Sequence, residues 1–222
     1  MMKRKQSGFT LIEIAIVLVI IGLLLGGVLK GQELINSAKV KNLAGDFKNI
    51  PVFIYGYQDK FRALPGDDAA ATTHVTANKN GDGNGVMDGK WNDVAGADSE
   101  AFNFWQHVRF AGLAPGPTDK NDADYVPKNA SSGKIGIQSG SASTPSIKDK
   151  GGNPIRGSYV ICSDGILGKF VKQLDTTMDD GNIGTGSMLA MKAYAFGGTA
   201  DDTSVAATAI DDAAGYTVCM GV

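Results

Sequence analysis

The sequence predicts an α+β protein: a long N-terminal α-helix, with a transmembrane half and an amphipathic half, packed on a small antiparallel β-sheet head with long loops. Three observations predict it. From Phe9 to Leu29 the chain is apolar apart from one charge, Glu13. Beyond that run, Val40, Leu43, Phe47, Ile50, Ile54, Tyr57 and Phe61 recur at alternating steps of three and four, the spacing of one helix face. The last third of the chain alternates short β-prone segments with turns rich in Gly, Ser, Asp and Asn.

The apolar run has the length of a bilayer span. At 1.5 Å rise per residue, its 21 or so residues cover roughly 31 Å. Lys3, Arg4 and Lys5 precede it, and the positive-inside rule keeps that end cytoplasmic, so the head lies outside the inner membrane. An ordinary secretory signal carries a small-residue cleavage site after its apolar region, and none follows Leu29. Glu13 is the anomaly. A carboxylate costs roughly 2.5–3.5 kcal/mol near a bilayer centre and less near an end, so it needs a partner.

The residues Lys5-Gln6-Ser7-Gly8-Phe9-Thr10-Leu11-Ile12-Glu13 resemble the processing site of the type IV pilin-like superfamily, which includes pilins and the pseudopilins of type II secretion. The resemblance covers about the first eighth of the chain. It implies cleavage by a prepilin peptidase between Gly8 and Phe9 and N-methylation of Phe9. It also implies an assembly role for Glu13, pairing with the N-terminal ammonium of a neighbouring subunit. A carboxylate among apolar helices is tolerable when it meets such a cation. The implied partners are other pilin or pseudopilin subunits, the peptidase and an inner-membrane assembly platform. The expected segments are a leader, 1–8; a transmembrane and assembly helix, 9–29; the amphipathic half of the helix, 30–64; and a periplasmic or extracellular head, 65–222.

Charge narrows the function. The 222-residue chain carries a formal charge of −2; without Lys3, Arg4 and Lys5 its 21 basic side chains fall to 18 against 23 acidic ones, a balance of −5. An acidic exported head argues against nucleic-acid binding, which wants a basic face. In an exported head the two cysteines, Cys162 and Cys219, most simply form one disulfide; two free buried thiols are the other reading. The resemblance supports the first, since some pilins staple their C-terminal region this way.

The amphipathic half contains Pro51, which removes an amide donor and is expected to kink the helix. Leu64-Pro65-Gly66-Asp67-Asp68 ends it. In the polar loop that follows, Asn80, Asp82, Asn84, the Val86 carbonyl and Asp88 fit the first half of a calcium-binding loop, with Gly85 at the sharp turn. The pattern then fails, because the twelfth position holds Trp91; Asp93 or Glu100 are substitutes from another direction. The same Asn, Asp and Gly residues also make Asx turns that hold no ion. Calcium is therefore one of two readings of this loop.

Ser99 to Leu113 reads as a helix capped by Asp98 or Ser99, with Phe102, Trp105, Val108 and Gly112 on one face and His107 at the surface or its boundary. Lys134–Gln138, Gly157–Cys162, Met188–Phe196 and Tyr216–Met220 read as strands, and Leu167, Phe170, Val171 and Leu174 as a short helix. Asp175, Asp179, Asp180 and Asn182 form a second acidic turn, either joined to the first at one ion or solvated.

No nucleophile–base pair, metal cluster or phosphate loop appears, and the glycines at 81–85 lack the Lys and Ser/Thr of a phosphate loop. An enzyme is not expected. The sequence points to a structural subunit of a type IV pilus or type II secretion pseudopilus. The alternative is a membrane-anchored exported calcium-dependent binding or adhesin protein, or a minor tip subunit.

Overall fold

The computed structural model describes residues 10–94, 96–140, 147–193 and 210–222. The chain divides into two compact units, Met1–Ala38 and Lys39–Val222. Helix α1, Leu11–Phe61, contributes to both.

Within the first unit the apolar side chains of α1 have no protein cover. Leu11 is 92% exposed, and Leu18, Leu23, Val28 and Leu29 are all more than half exposed. One helix of this length and mean hydropathy, 2.8 over its most apolar window, is long and apolar enough to cross a membrane. Gly22, Gly26, Gly27 and Gly31 have open space where a Cβ would stand.

In the second unit the rest of α1 lays one face on a core. Val40, Leu43, Ala44, Phe47, Ile50, Ile54 and Tyr57 are buried, and Phe61 packs against them half-exposed. This is the stripe that the three-and-four spacing predicts. The helix continues through Pro51, which leaves the Phe47 carbonyl without its usual amide donor. Arg62, at φ 56°, then breaks the helical path.

The chain next forms a one-turn helix, α2 (Ala71–His74), and then α3 (Glu100–Phe110). Ser99 is the N-cap of α3: its backbone is extended and its hydroxyl accepts the Phe102 N–H at 3.3 Å. The sequence predicts one buried face here, yet every residue from Glu100 to Arg109 is buried. His107, expected at the surface, has no exposure at all. Loops from both sides cover the polar face of α3 and bond to it.

The sheet comprises β1 (Ile135–Ser139), β2 (Tyr159–Leu167), β3 (Met188–Lys192) and β4 (Gly215–Gly221), with α4 (Gly168–Met178) between β2 and β3. All neighbours are antiparallel in the order β1-β2-β4-β3. Strand β2 runs past its expected end at Cys162, through an irregularity between Ser163 and Ile166, and directly into α4. Leu167 therefore ends a strand rather than beginning the helical stripe. The expected continuation of β3 to 196 lies outside the described residues.

Both faces of the sheet are buried. Ile135, Ile137, Ile161, Ala190 and Val218 face the core shared with α1, α3 and α4, while Val160, Cys162, Leu189, Met191 and Cys219 face a smaller cluster. Trp91, Ile147 and Ile155, all from loops, close that second face. Cys162 and Cys219 stand opposite each other on β2 and β4 and are joined by a disulfide.

Candidate functional site

Two regions carry chemistry. The first is the start of α1. Thr10 and Glu13 bond reciprocally: the Thr10 N–H and hydroxyl donate to the Glu13 carboxylate at 2.8 and 2.7 Å, and the Glu13 N–H meets the Thr10 hydroxyl at 3.4 Å. This is a capping box, in which a threonine and a glutamate three residues on satisfy each other's free amides. A carboxylate in a first turn also meets the favourable end of the helix dipole. In the single chain Glu13 is thus a cap, and the Thr-x-x-Glu spacing that signals it is visible in the sequence. Gly8 and Phe9, expected to flank the cleavage site, and the expected leader, 1–8, lie outside the described residues.

The second region is the loop system between α1 and α3. Asp67, only 3% exposed, accepts the N–H groups of Gly83, Asn84 and Gly85 at 2.7, 3.1 and 2.8 Å. Glu100, in the first turn of α3, accepts those of Asp82 and Asp88 at 2.8 and 3.0 Å. The Asn-Gly-Asp-Gly-Asn-Gly loop is therefore wrapped around two carboxylates that come from outside it. Gly81 permits the approach: a Cβ there would stand 2.3 Å from the Asp67 backbone. Gly66 is equally constrained, at φ +95° with the Glu100 carbonyl 2.5 Å from where a Cβ would be.

The neighbouring Asp68 gathers three donors at its 2%-exposed carboxylate: the Tyr57 hydroxyl at 2.7 Å, the His74 ring at 2.8 Å and the Ala70 N–H at 2.8 Å. Burial pushes this carboxyl up, but the Tyr57, His74 and Ala70 bonds together outweigh it and hold it below the ordinary range. His107 accepts the Gly66 N–H at Nδ1, 2.9 Å, so its proton sits on Nε2 and points to the Lys79 carbonyl at 3.2 Å. Burial pushes its pKa down to about 4. On the other side of α3, Arg109 donates to the carbonyls of Pro115, Pro117 and Tyr125, and Gln106 to that of Thr118.

The residues predicted for calcium are placed as follows. Asn80 accepts the Thr72 N–H through its side-chain oxygen, and Asn84 accepts the Val86 N–H. Asp82 accepts both the backbone and side-chain N–H of Asn84. Asn80, Asp82 and Asp88 line one cavity of ≈ 370 Å³ together with Glu100; Asn84 and Val86 are not among its lining residues. Asp82, Asp67 and Glu100 each bring a carboxylate oxygen within 4.8 Å of the others. Asp67 and Glu100 have no signal of this in the local pattern, though Glu100 is the acid that the failed twelfth position leaves wanting.

The second acidic turn forms a separate group, Asp175, Asp179 and Asp180, and does not join the first. Nor is it merely solvated. Asp175 is fully buried with both carboxylate oxygens lacking a hydrogen-bond partner. Burial first, and then Asp179 and Asp180, push it up to about 7. Asp179 organises the turn by accepting the N–H groups of Ser187 and Met188 at 2.7 and 2.9 Å and the Ser187 hydroxyl at 2.9 Å.

Among known families, the prokaryotic N-terminal methylation motif matches residues 3–29. No curated protein and no solved structure matches the chain. The chain thus carries the prepilin-type methylation motif at the head of a long helix that leads into a four-stranded antiparallel sheet, a motif and an α+β fold consistent with a type IV pilin or pseudopilin.

Proposed function

We propose that the chain is a structural subunit of a type IV pilus or type II secretion pseudopilus. The observation that carries this reading is the methylation motif over residues 3–29, which coincides with a helix whose apolar side chains are exposed within its own compact unit. In this reading prepilin peptidase removes residues 1–8 after Gly8 and Phe9 is N-methylated. Residues 9–29 hold the precursor in the inner membrane, with the N-terminus cytoplasmic and the head, 65–222, periplasmic. An inner-membrane platform then moves subunits into a filament, where apolar packing of residues 9–29 replaces lipid contact. The segment 30–64 joins the two parts.

Glu13 has two successive partners in this scheme. In the membrane it caps its own helix through Thr10. In the filament it pairs with the ammonium of a neighbouring Phe9, and register rather than stability is the better-attested use of such a buried charge. Intact-mass measurement of sheared filaments and of membranes tests the reading. A chain beginning at methylated Phe9 in the filament fraction is expected; a chain beginning at Met1 and confined to membranes that contain active peptidase would overturn it.

A further inference from the structure

Asn103 stands three residues after Glu100 on α3, so the two side chains leave the same helix face. Both line the ≈ 370 Å³ cavity that Asn80, Asp82, Asp88 and Asp98 also line. Lys79, at the rim, is engaged by Asp98. Asn103 is 1% exposed, and its side-chain oxygen is buried with no hydrogen-bond donor. An acceptor left so costs about 1–3 kcal/mol unless something satisfies it.

Asp82 and Glu100 bring two carboxylates to this space, and Asp67, though not one of its lining residues, adjoins them. The carboxylates of Asp67, Asp82 and Glu100 lie within 4.8 Å of one another. The amides that Asp67 and Glu100 accept occupy only part of their oxygens' capacity, since a carboxylate pair of oxygens accepts about four bonds. Three acids and one orphaned carbonyl oxygen thus share a need for a cation, and hydrogen-bond donors from the loop do not meet it.

We propose that this cavity is a divalent-cation site, calcium by preference, with Asp82, Glu100 and the Asn103 side-chain oxygen as ligands, and with Asp67, which does not line the cavity but adjoins the Asp82 and Glu100 carboxylates, as the neighbouring third carboxylate. The number and kind of ligands select the ion. Calcium takes about six to eight oxygen ligands, carboxylates and amide oxygens among them, whereas magnesium usually binds through one or two carboxylates and keeps several waters. The site is not the linear loop that the spacing of Asn80, Asp82 and Asn84 suggests. Its ligands come from the loop and from α3, so the ion fastens one to the other. An exported module with such a ligand set has an expected affinity of about 10⁻⁴–10⁻³ M.

The test uses the full chain in detergent, stripped with EGTA and titrated with calcium chloride, and in parallel with magnesium chloride, by calorimetry and thermal melting. Calcium is expected to raise the melting temperature and to bind more tightly than magnesium. Asp82→Asn, Glu100→Gln and Asn103→Leu are each expected to weaken calcium about tenfold or more. Asn103→Leu should melt no lower than the parent in EGTA, because an apolar side chain of similar shape removes the orphaned acceptor. Asp175→Asn, in the separate acidic group, should leave this binding event in place. Asp82 is exposed, so its variant decides the matter if Glu100→Gln fails to fold. The proposal is overturned by an absence of calcium binding, by binding that survives Asp82→Asn, by full affinity in Asn103→Leu, or by loss confined to Asp175→Asn.

Discussion

The Tyr57 hydroxyl donates to the Asp68 carboxylate at 2.7 Å, with both side chains buried. This bond ties the end of the amphipathic helix to the loop that covers α3, and it holds Asp68 where His74 and the Ala70 N–H also reach it. Tyr57→Phe preserves the ring contacts with Phe61 and His107 and deletes only the donor. A hydrogen bond to a charged group contributes about 1.5–3 kcal/mol. Denaturant unfolding of the variant should show a loss of that size with an unchanged m-value.

Acid and base sensitivity have different sources. His107 has a folded pKa of about 4 against an ordinary 6.5, so between those values the unfolded chain binds a proton that the folded chain refuses. Its contribution to stability is therefore lost as pH falls through that window. Asp175, at about 7, and Asp46, raised by burial to about 6, act in the opposite sense. Each keeps a proton in the fold that the unfolded chain releases above its ordinary 3.8, so their contribution is present at about pH 4 and lost as pH rises toward 7. Asp175→Asn removes one of these. In EGTA, its melting temperature relative to the parent should rise between pH 4 and pH 7; a difference that stays constant across that range would contradict the assignment.

Ser99 caps α3 through the Phe102 N–H, and α3 supplies Glu100, Asn103 and His107 to the loops around it. Ser99→Ala should cost about 1 kcal/mol, as loss of an N-cap does. Ser99→Asp, which keeps a capping oxygen, should recover most of that loss in the same melting experiment.

The disulfide joins two residues already paired in the ladder, 57 positions apart in the chain. Its effect lies mainly in the unfolded chain, where closing a loop of that length removes entropy equivalent to about 4 kcal/mol in the simplest account. Cys162→Ser with Cys219→Ser should keep the circular dichroism spectrum of the fold and lower the melting temperature markedly. An unchanged melting temperature would mean that the unfolded chain is held together by other contacts.

The cap made by Glu13 and its proposed charge pair in the filament can be separated. Glutamine can still cap through its side-chain oxygen but carries no charge. If register depends on the charge pair, Glu13→Gln and Glu13→Val should both insert in the membrane and both impair filament assembly as sole subunit. Normal filaments from Glu13→Gln would leave the capping box as the whole function of this residue.

Local pattern alone determined much of this protein. The apolar run and the three-and-four stripe divide α1 where its burial changes, and β-propensity between glycine-rich turns locates the four strands. These are readings of side-chain periodicity, which depends on backbone geometry within a few residues. Only the tertiary structure decided how α3 is used. Its sequence shows one apolar face, yet Glu100, Gln106, His107 and Arg109 are buried too, because Gly66, Lys79, Asp82, Asp88 and the 115–125 segment bring them amide and carbonyl partners. The acidic group shows the same division. The alternating Asn, Asp and Gly residues announce a polar turn, but Asp67 precedes Asp82 by 15 positions and Glu100 follows it by 18. Nothing in the local spacing carries that meeting. It depends on how the end of the long helix and the start of α3 pack against the same core, where buried carboxylates must find partners wherever the chain provides them.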